Sequence, residues 1–208
     1  MSPGADPTGQ PIRPLRADAR RNRELLSAAA REIFTERGTD APLDDIARRA
    51  GVGNATMYRH FPTRSDLIVA VYADEVAQLC ADGERLAEEL PAGEALFRWL
   101  REFIAHVSVK RELAKAIADD RGDSRSTLFG QWHAAMHATA ATLLDKAHQA
   151  QAVRADLTVT DLLTLANGLA QTGAGPVQTE RLLRLVREGT EQMAPAAVAR
   201  PPLPAVPY

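Results

Sequence analysis

From about residue 15 to about residue 194, apolar residues recur at helical spacing, and the two-residue alternation of a strand is almost absent. Leu25, Ala29 and Ile33 form one such stripe, with Leu26, Ala30 and Phe34 beside it. The 208 residues include only five Phe, two Trp and three Tyr, so Ala and Leu must carry most of the packing. Both lose little conformational freedom in a helix. The expected class is all-α, in a chain long enough for one or two modest domains with a real core.

Local chemistry places the breaks. Residues 1–14, rich in Pro and Gly, are expected as a flexible arm, and 195–208, rich in Pro, as an extended tail. A first helix at about Ala17–Arg37 is stopped by Gly38, and a second at about Leu43–Ala50 has Pro42 at its start and Asp44 and Asp45 on its dipole. A third, about Asn54–His60, ends because Pro62 disfavours helical geometry at Phe61. A long fourth opens at Thr63 or Ser65 and reaches towards Leu90. Further helices are expected at about 94–108, 110–120, 125–151, 159–172 and 179–193. The natural division is 15–64 followed by 65–194.

Charge separates these two parts. The net charge of −2 combines eleven Arg against eight acids in residues 1–64 (+3) with fourteen basic against nineteen acidic residues in 65–208 (−5). Arg13, Arg16, Arg20, Arg21 and Arg23 lead the chain, opposed locally by Asp18 and Glu24. A basic front on an acidic body points to a polyanion partner for the front alone, although a solvated arginine-rich helix start has the same composition. A single cysteine, Cys80, forms no internal disulfide, as in a reducing compartment. The amino terminus has no apolar signal core, and no run approaches the roughly 20 apolar residues of a membrane span. A cytoplasmic location with no membrane partner is expected.

The stretch "GVGNATMYRHFPTR", residues 51–64, carries the most chemistry. A phosphate-cradling dinucleotide loop needs a strand before the first Gly and a third Gly, and a P-loop needs Gly-Lys-Ser/Thr. Here a helix precedes, and both signatures are missing. A helix-turn-helix needs two short helices, a tight Gly-containing turn and a second helix with polar residues exposed. "LDDIARRAGVGNATMYRHF" supplies all three, with Val52, Met57 and Phe61 for the buried side. Asn54, Ala55, Thr56, Tyr58, Arg59 and His60 are left for the other. Asn and Arg can bond adenine and guanine edges, and Ala or Thr can meet a thymine methyl. Tyr, His and the Arg64 guanidinium suit phosphate oxygens.

Residues from about 20 to 68 resemble the DNA-binding domain of the tetracycline-repressor (TetR) family. The pieces that carry the resemblance are "AAREIFTERG", "DDIARRAGV" and "TMYRHFPTRSDL". It implies phosphate anchors at Thr56, Tyr58, His60 and Arg64, and base-edge readers at Asn54, Ala55 and Arg59. On that assignment Arg64→Ala weakens binding to every sequence alike. One departure stands out: the family has Ser or Thr just before the second helix, where this chain has Ala41 and Pro42, which leaves Asp40 as the candidate cap. The resemblance further implies a homodimer on a pseudo-palindromic double-stranded DNA operator, with a helical ligand-binding and dimerisation domain after the fourth helix. The function implied is a regulator, most often a repressor, released by a small-molecule effector. The alternative is a constitutive or architectural DNA-binding dimer without a ligand.

Two sets of residues are candidates in the second part. Leu162, Leu165, Ala166 and Leu169, with Leu182, Leu183 and Val186, form leucine-rich faces suited to dimerisation or to the core. Trp99, Phe103 and His106 share one face, while Phe129, Trp132, His133, Met136 and His137 cluster on another helix. They suit the lining of an effector pocket or plain core packing. His133 and His137 stand one turn apart, as metal ligands do, but "HAAMH" lacks the Glu of the metalloprotease motif, and no metal is expected. "RGDSRS" at 121–126 reads as a solvated loop, and no catalytic constellation stands out. Neither enzymatic activity nor a cofactor is expected.

Overall fold

The computed structural model describes the backbone of residues 13–118 and 123–191, and the side chains of 17–108 and 128–191. Among the described residues there are eight α-helices and no strand. They are α1 (Arg13–Arg37), α2 (Leu43–Ala50), α3 (Asn54–His60), α4 (Arg64–Glu89), α5 (Ala92–Ala118), α6 (Asp123–Gln149), α7 (Val159–Gln171) and α8 (Pro176–Thr190). The all-α expectation is met. The chain divides into two compact units, one ending at Tyr72 and the next beginning at Ala73.

The division therefore falls inside α4, eight residues later than the sequence placed it. The reason is packing. Leu67, Ala70 and Val71 of α4 close the core of the first unit with Leu26, Ala29, Ala30 and Ile33 of α1, Ile46 and Ala47 of α2, Met57 of α3, and Phe61. α1 also takes in two residues that the sequence assigned to the arm. Arg13 and Pro14 already belong to α1, where a first-turn proline forfeits no hydrogen bond. Residues 1–12 and the proline-rich 195–208 lie outside the described residues. Gly38 stops α1 as expected, at φ +82°, its N–H donating to Phe34.

In the second unit α5 packs on α6, α7 and α8, α6 on α7, and α7 on α8. The helices expected at 94–108 and 110–120 are one continuous α5. The run Val107-Ser108-Val109 has only weak helix propensity, but no Gly or Pro breaks it, and Ser108 Oγ bonds the Ile104 carbonyl one turn back. Thr158 and Asp161 form a reciprocal capping box that starts α7. α8 begins earlier than expected, with Pro176 at its first position, and ends at Thr190. Glu191 then turns extended and pairs with Val153 in an isolated bridge. Gly83 of α4 permits a close approach: a Cβ there would press on Thr139 of α6 and lie 3.0 Å from the Trp99 ring.

Candidate nucleic-acid interface

The interface is built around a turn. At the end of α2, Gly51 adopts φ +67°, and its N–H bonds the Arg48 carbonyl while that of Val52 bonds Ala47. These two bonds close a Schellman motif, which needs a left-handed residue at its centre. Val52, half-buried, packs back on the core. Nothing lies within 4 Å of a Cβ added at Gly51, so a substitution there meets backbone strain alone. Gly51→Ala should therefore cost about 1–2 kcal/mol of stability. A urea melt read by helical signal checks this, and an unchanged midpoint would contradict it.

α3 follows directly, with Gly53 extended as its N-cap. Its inward side is fixed by Met57 and, at the C-cap, Phe61, both 1% exposed. The Phe61 ring is covered by the Arg23 guanidinium of α1 at 4.9 Å. Helical geometry then turns Ala55 and Arg59 outward with Tyr58 beside them, Asn54 stands at the open end of the helix, and all four are exposed, Tyr58 at 48%. Thr56 and His60 lie half-buried on the flanks of this face. Six of the seven expected DNA-contacting residues thus occupy one short helix that is anchored from behind.

Charge pairing distinguishes Arg59 from several neighbours. Arg37 and Arg48 both bond Asp45, and Arg49 bridges Glu32 at 3.0 Å and Glu36 at 3.2 Å. The Arg49 hydrogen bonds hold the Glu36 carboxyl below its usual range. The side chains of Asn54, Tyr58 and Arg59 have no hydrogen-bond or ion-pair partner among the described residues. An exposed guanidinium whose five donors are unengaged is suited to bidentate recognition of a base edge or a phosphate.

The seventh residue stands apart. Arg64, at the start of α4, is half-buried and donates from Nη1 to the carbonyls of Thr39 at 2.7 Å and Ala41 at 2.6 Å. The candidate cap also differs: α2 has Pro42 as its N-cap and no side-chain cap bond, so Asp40 does not cap it. A cap the sequence reading did not identify is the Thr63–Asp66 box at the start of α4, where Thr63 N bonds Asp66 Oδ2 and Asp66 N bonds Thr63 Oγ1, each at 3.1 Å. Its T-x-x-D spacing is legible in the sequence; the Arg23–Phe61 and Arg64–carbonyl contacts bridge distant positions and leave no local signal.

In the second unit, Trp99 is 0% exposed, stacks on Phe103 with centroids 5.4 Å apart, and donates its indole N–H to Leu79 O at 2.9 Å. His106 lies 3.8 Å from the Glu75 carboxylate. Phe129 and Trp132 meet edge-on at 5.1 Å, Met136 is buried, and His133 and His137 are exposed. His133 Nδ1 donates to its own helix at Phe129 O, 2.7 Å away. Among the described residues no group of three or more His, Cys, Asp or Glu side chains is arranged to hold a metal ion. A groove of about 330 Å³ is lined by Gly83, Glu84, Ala87, Ala138, Thr139 and Lys146 among others, and shares none of the eight residues expected to line a pocket. Of the residues expected at a dimer face, Leu162, Ala166 and Leu183 point into the unit, Leu169, Leu182 and Val186 are half-buried, and Leu165 is 45% exposed. Among the described residues no helix is long and apolar enough to cross a membrane.

Comparison with known proteins agrees with this geometry. Residues 26–71 match the family model of bacterial regulatory proteins of the tetR family. Residues 91–192 match the model of the SbtR-like transcriptional regulator C-terminal domain. The structure is similar to that of a TetR transcriptional regulator from Streptomyces coelicolor, at TM-score 0.72 and 40% identity, covering 83% of this chain and 99% of that one. A TetR transcription regulatory protein from Mycobacterium vanbaalenii gives 0.71 and 36%, covering 86% and 99%. Over 54 residues the chain is 39% identical to an HTH-type transcriptional regulator of Staphylococcus aureus (strain USA300), a match covering 26% of this chain and 29% of that protein. The extent of these matches, joined to a helix-turn-helix with an outward polar face, makes this chain a member of the TetR family of transcriptional regulators.

Proposed function

We propose that the chain is a cytoplasmic, ligand-responsive repressor that binds a pseudo-palindromic operator as a homodimer and leaves it when a small molecule binds the second unit. The observation that carries the DNA half is the face of α3, where Asn54, Ala55, Tyr58 and Arg59 are exposed while Met57 and Phe61 are locked in the core. In this reading Asn54, Ala55 and Arg59 meet base edges, and Thr56, Tyr58 and His60 hold phosphates. A second copy covers the apolar side chains left exposed on the last two helices, Leu165 of α7 and Leu185 of α8, at 45% and 55%. The effector site draws on the aromatic side chains of the second unit, the Trp99–Phe103 pair of α5 and the Phe129–Trp132 pair of α6. α4 belongs to both units, and an effector that prefers one of its dispositions shifts the population between binding and non-binding states.

Arg59→Ala tests the reading. It should cost about 1–3 kcal/mol on a selected operator and relax the base preference at one position per half-site, with little loss on random DNA. Equal losses on operator and random duplex would remove Arg59 from the readers.

A further inference from the structure

Arg64 joins two parts of the first unit that the chain itself does not hold together. Its Cα opens α4, where the Thr63–Asp66 capping box fixes the first turn. Its Nη1 reaches back to the carbonyls of Thr39 and Ala41 in the connection between α1 and α2. Ala41 is buried in the core and Arg37 pairs with Asp45 across the connection, but its backbone makes few bonds of its own. Pro42 offers no N–H, α2 has no side-chain cap, and the Ala41 N–H to Gly38 carbonyl distance is long at 3.4 Å. Hydrogen bonds from a charged donor are about twice as strong as neutral ones, and a half-buried site suits the weakly hydrated guanidinium.

A residue gripping DNA phosphate would present its fork to solvent. Here both protons of Nη1 are held by backbone carbonyls inside the unit, so the guanidinium is tied to the protein and only Nη2 and Nε have no partner among the described residues. We infer that Arg64 is a positioning residue: it clamps the α1–α2 connection to the first turn of α4, setting the orientation of α2 and, through the Gly51 turn, of α3. This rests on the DNA-binding reading above and departs from the phosphate role that the resemblance implies for this position.

The test uses the full chain with Arg64→Ala and Arg64→Lys. In the DNA-free protein, amide exchange across residues 39–47 should quicken about tenfold in Arg64→Ala and less in Arg64→Lys, whose ammonium keeps the charge but not the fork. Affinity is then measured for a duplex selected from a randomised library and for an unselected duplex of equal length. Arg64→Ala should lower the ratio of the two affinities about tenfold, with the slope of log affinity against log salt unchanged. A phosphate contact gives the opposite pattern: normal exchange, equal loss on both duplexes, and a slope shallower by about 0.9. A prop that only stabilises the fold gives faster exchange with equal loss on both. Either pattern overturns the proposal. If Arg64→Ala does not fold, Arg64→Lys carries the same readouts at smaller size. If the wild-type chain cannot distinguish the duplexes, the DNA reading falls and the positioning role with it, whereas unchanged exchange in Arg64→Ala overturns the clamp alone.

Discussion

Truncating Phe61 to alanine should destabilise the DNA-binding unit by about 3–5 kcal/mol and abolish operator binding. Phe61 is 1% exposed and sits where three elements meet: it caps α3, precedes the α4 capping box, and packs with Leu26, Ile33, Ile46, Met57 and Leu67. Removing the ring deletes its transfer energy, leaves a cavity that a small helical unit can only partly collapse, and exposes the Arg23 guanidinium to the loss of its aromatic partner. A domain holds only about 5–15 kcal/mol in total, so the loss is a large part of what keeps α3 in place. Amide exchange over residues 26–71 should rise towards the unfolded rate, and a gel shift should fail at salt concentrations where the wild type binds. Retention of full protection in the variant would show that the core is not centred where the packing places it.

Trp99→Ala should be as costly in the second unit, again about 3–5 kcal/mol. The indole is fully buried, stacks on Phe103, donates to Leu79 O, and fills the space that Gly83 leaves on α4. These are contacts of a packed side chain, so the effect should be seen without any effector present. Trp99→Phe separates the contributions. It keeps an aromatic ring but removes the indole donor, and should cost about 1–3 kcal/mol, partly through the missing bond. Urea unfolding monitored by helical signal decides between these outcomes. A Trp99→Ala variant of wild-type stability would mean that this side chain is not part of the core at all.

Much of the candidate DNA-binding face was legible because its determinants are local. Gly51 announces the turn, Pro62 announces the end of α3, and a period of 3.6 residues then puts Ala55 and Arg59 opposite Met57, while Asn54, one turn before Met57, is exposed because it opens the helix. The second unit was legible only as helices. Leu162 and Leu165 are equally apolar and only three residues apart, yet one is 1% and the other 45% exposed, because tertiary neighbours decide. The break expected near residue 109 failed because weak propensity over three residues, with no Gly or Pro among them, does not stop a helix already propagating. Arg64 shows the limit most clearly. A cation at the start of a helix after a recognition helix reads as a phosphate grip, and only the fold reveals the Thr39 and Ala41 carbonyls within its reach.

On the proposed function, the outward face of α3, presented twice by a dimer, reads DNA sequence. Selection of wild-type binders from a randomised duplex library checks this. The expected result is enrichment of one pseudo-palindrome whose half-sites lie about one helical turn, or a small multiple of it, apart, and loss of that enrichment at one base pair per half-site in Arg59→Ala. Binding that enriches no sequence, or an enriched sequence that Arg59→Ala leaves unchanged, would contradict it.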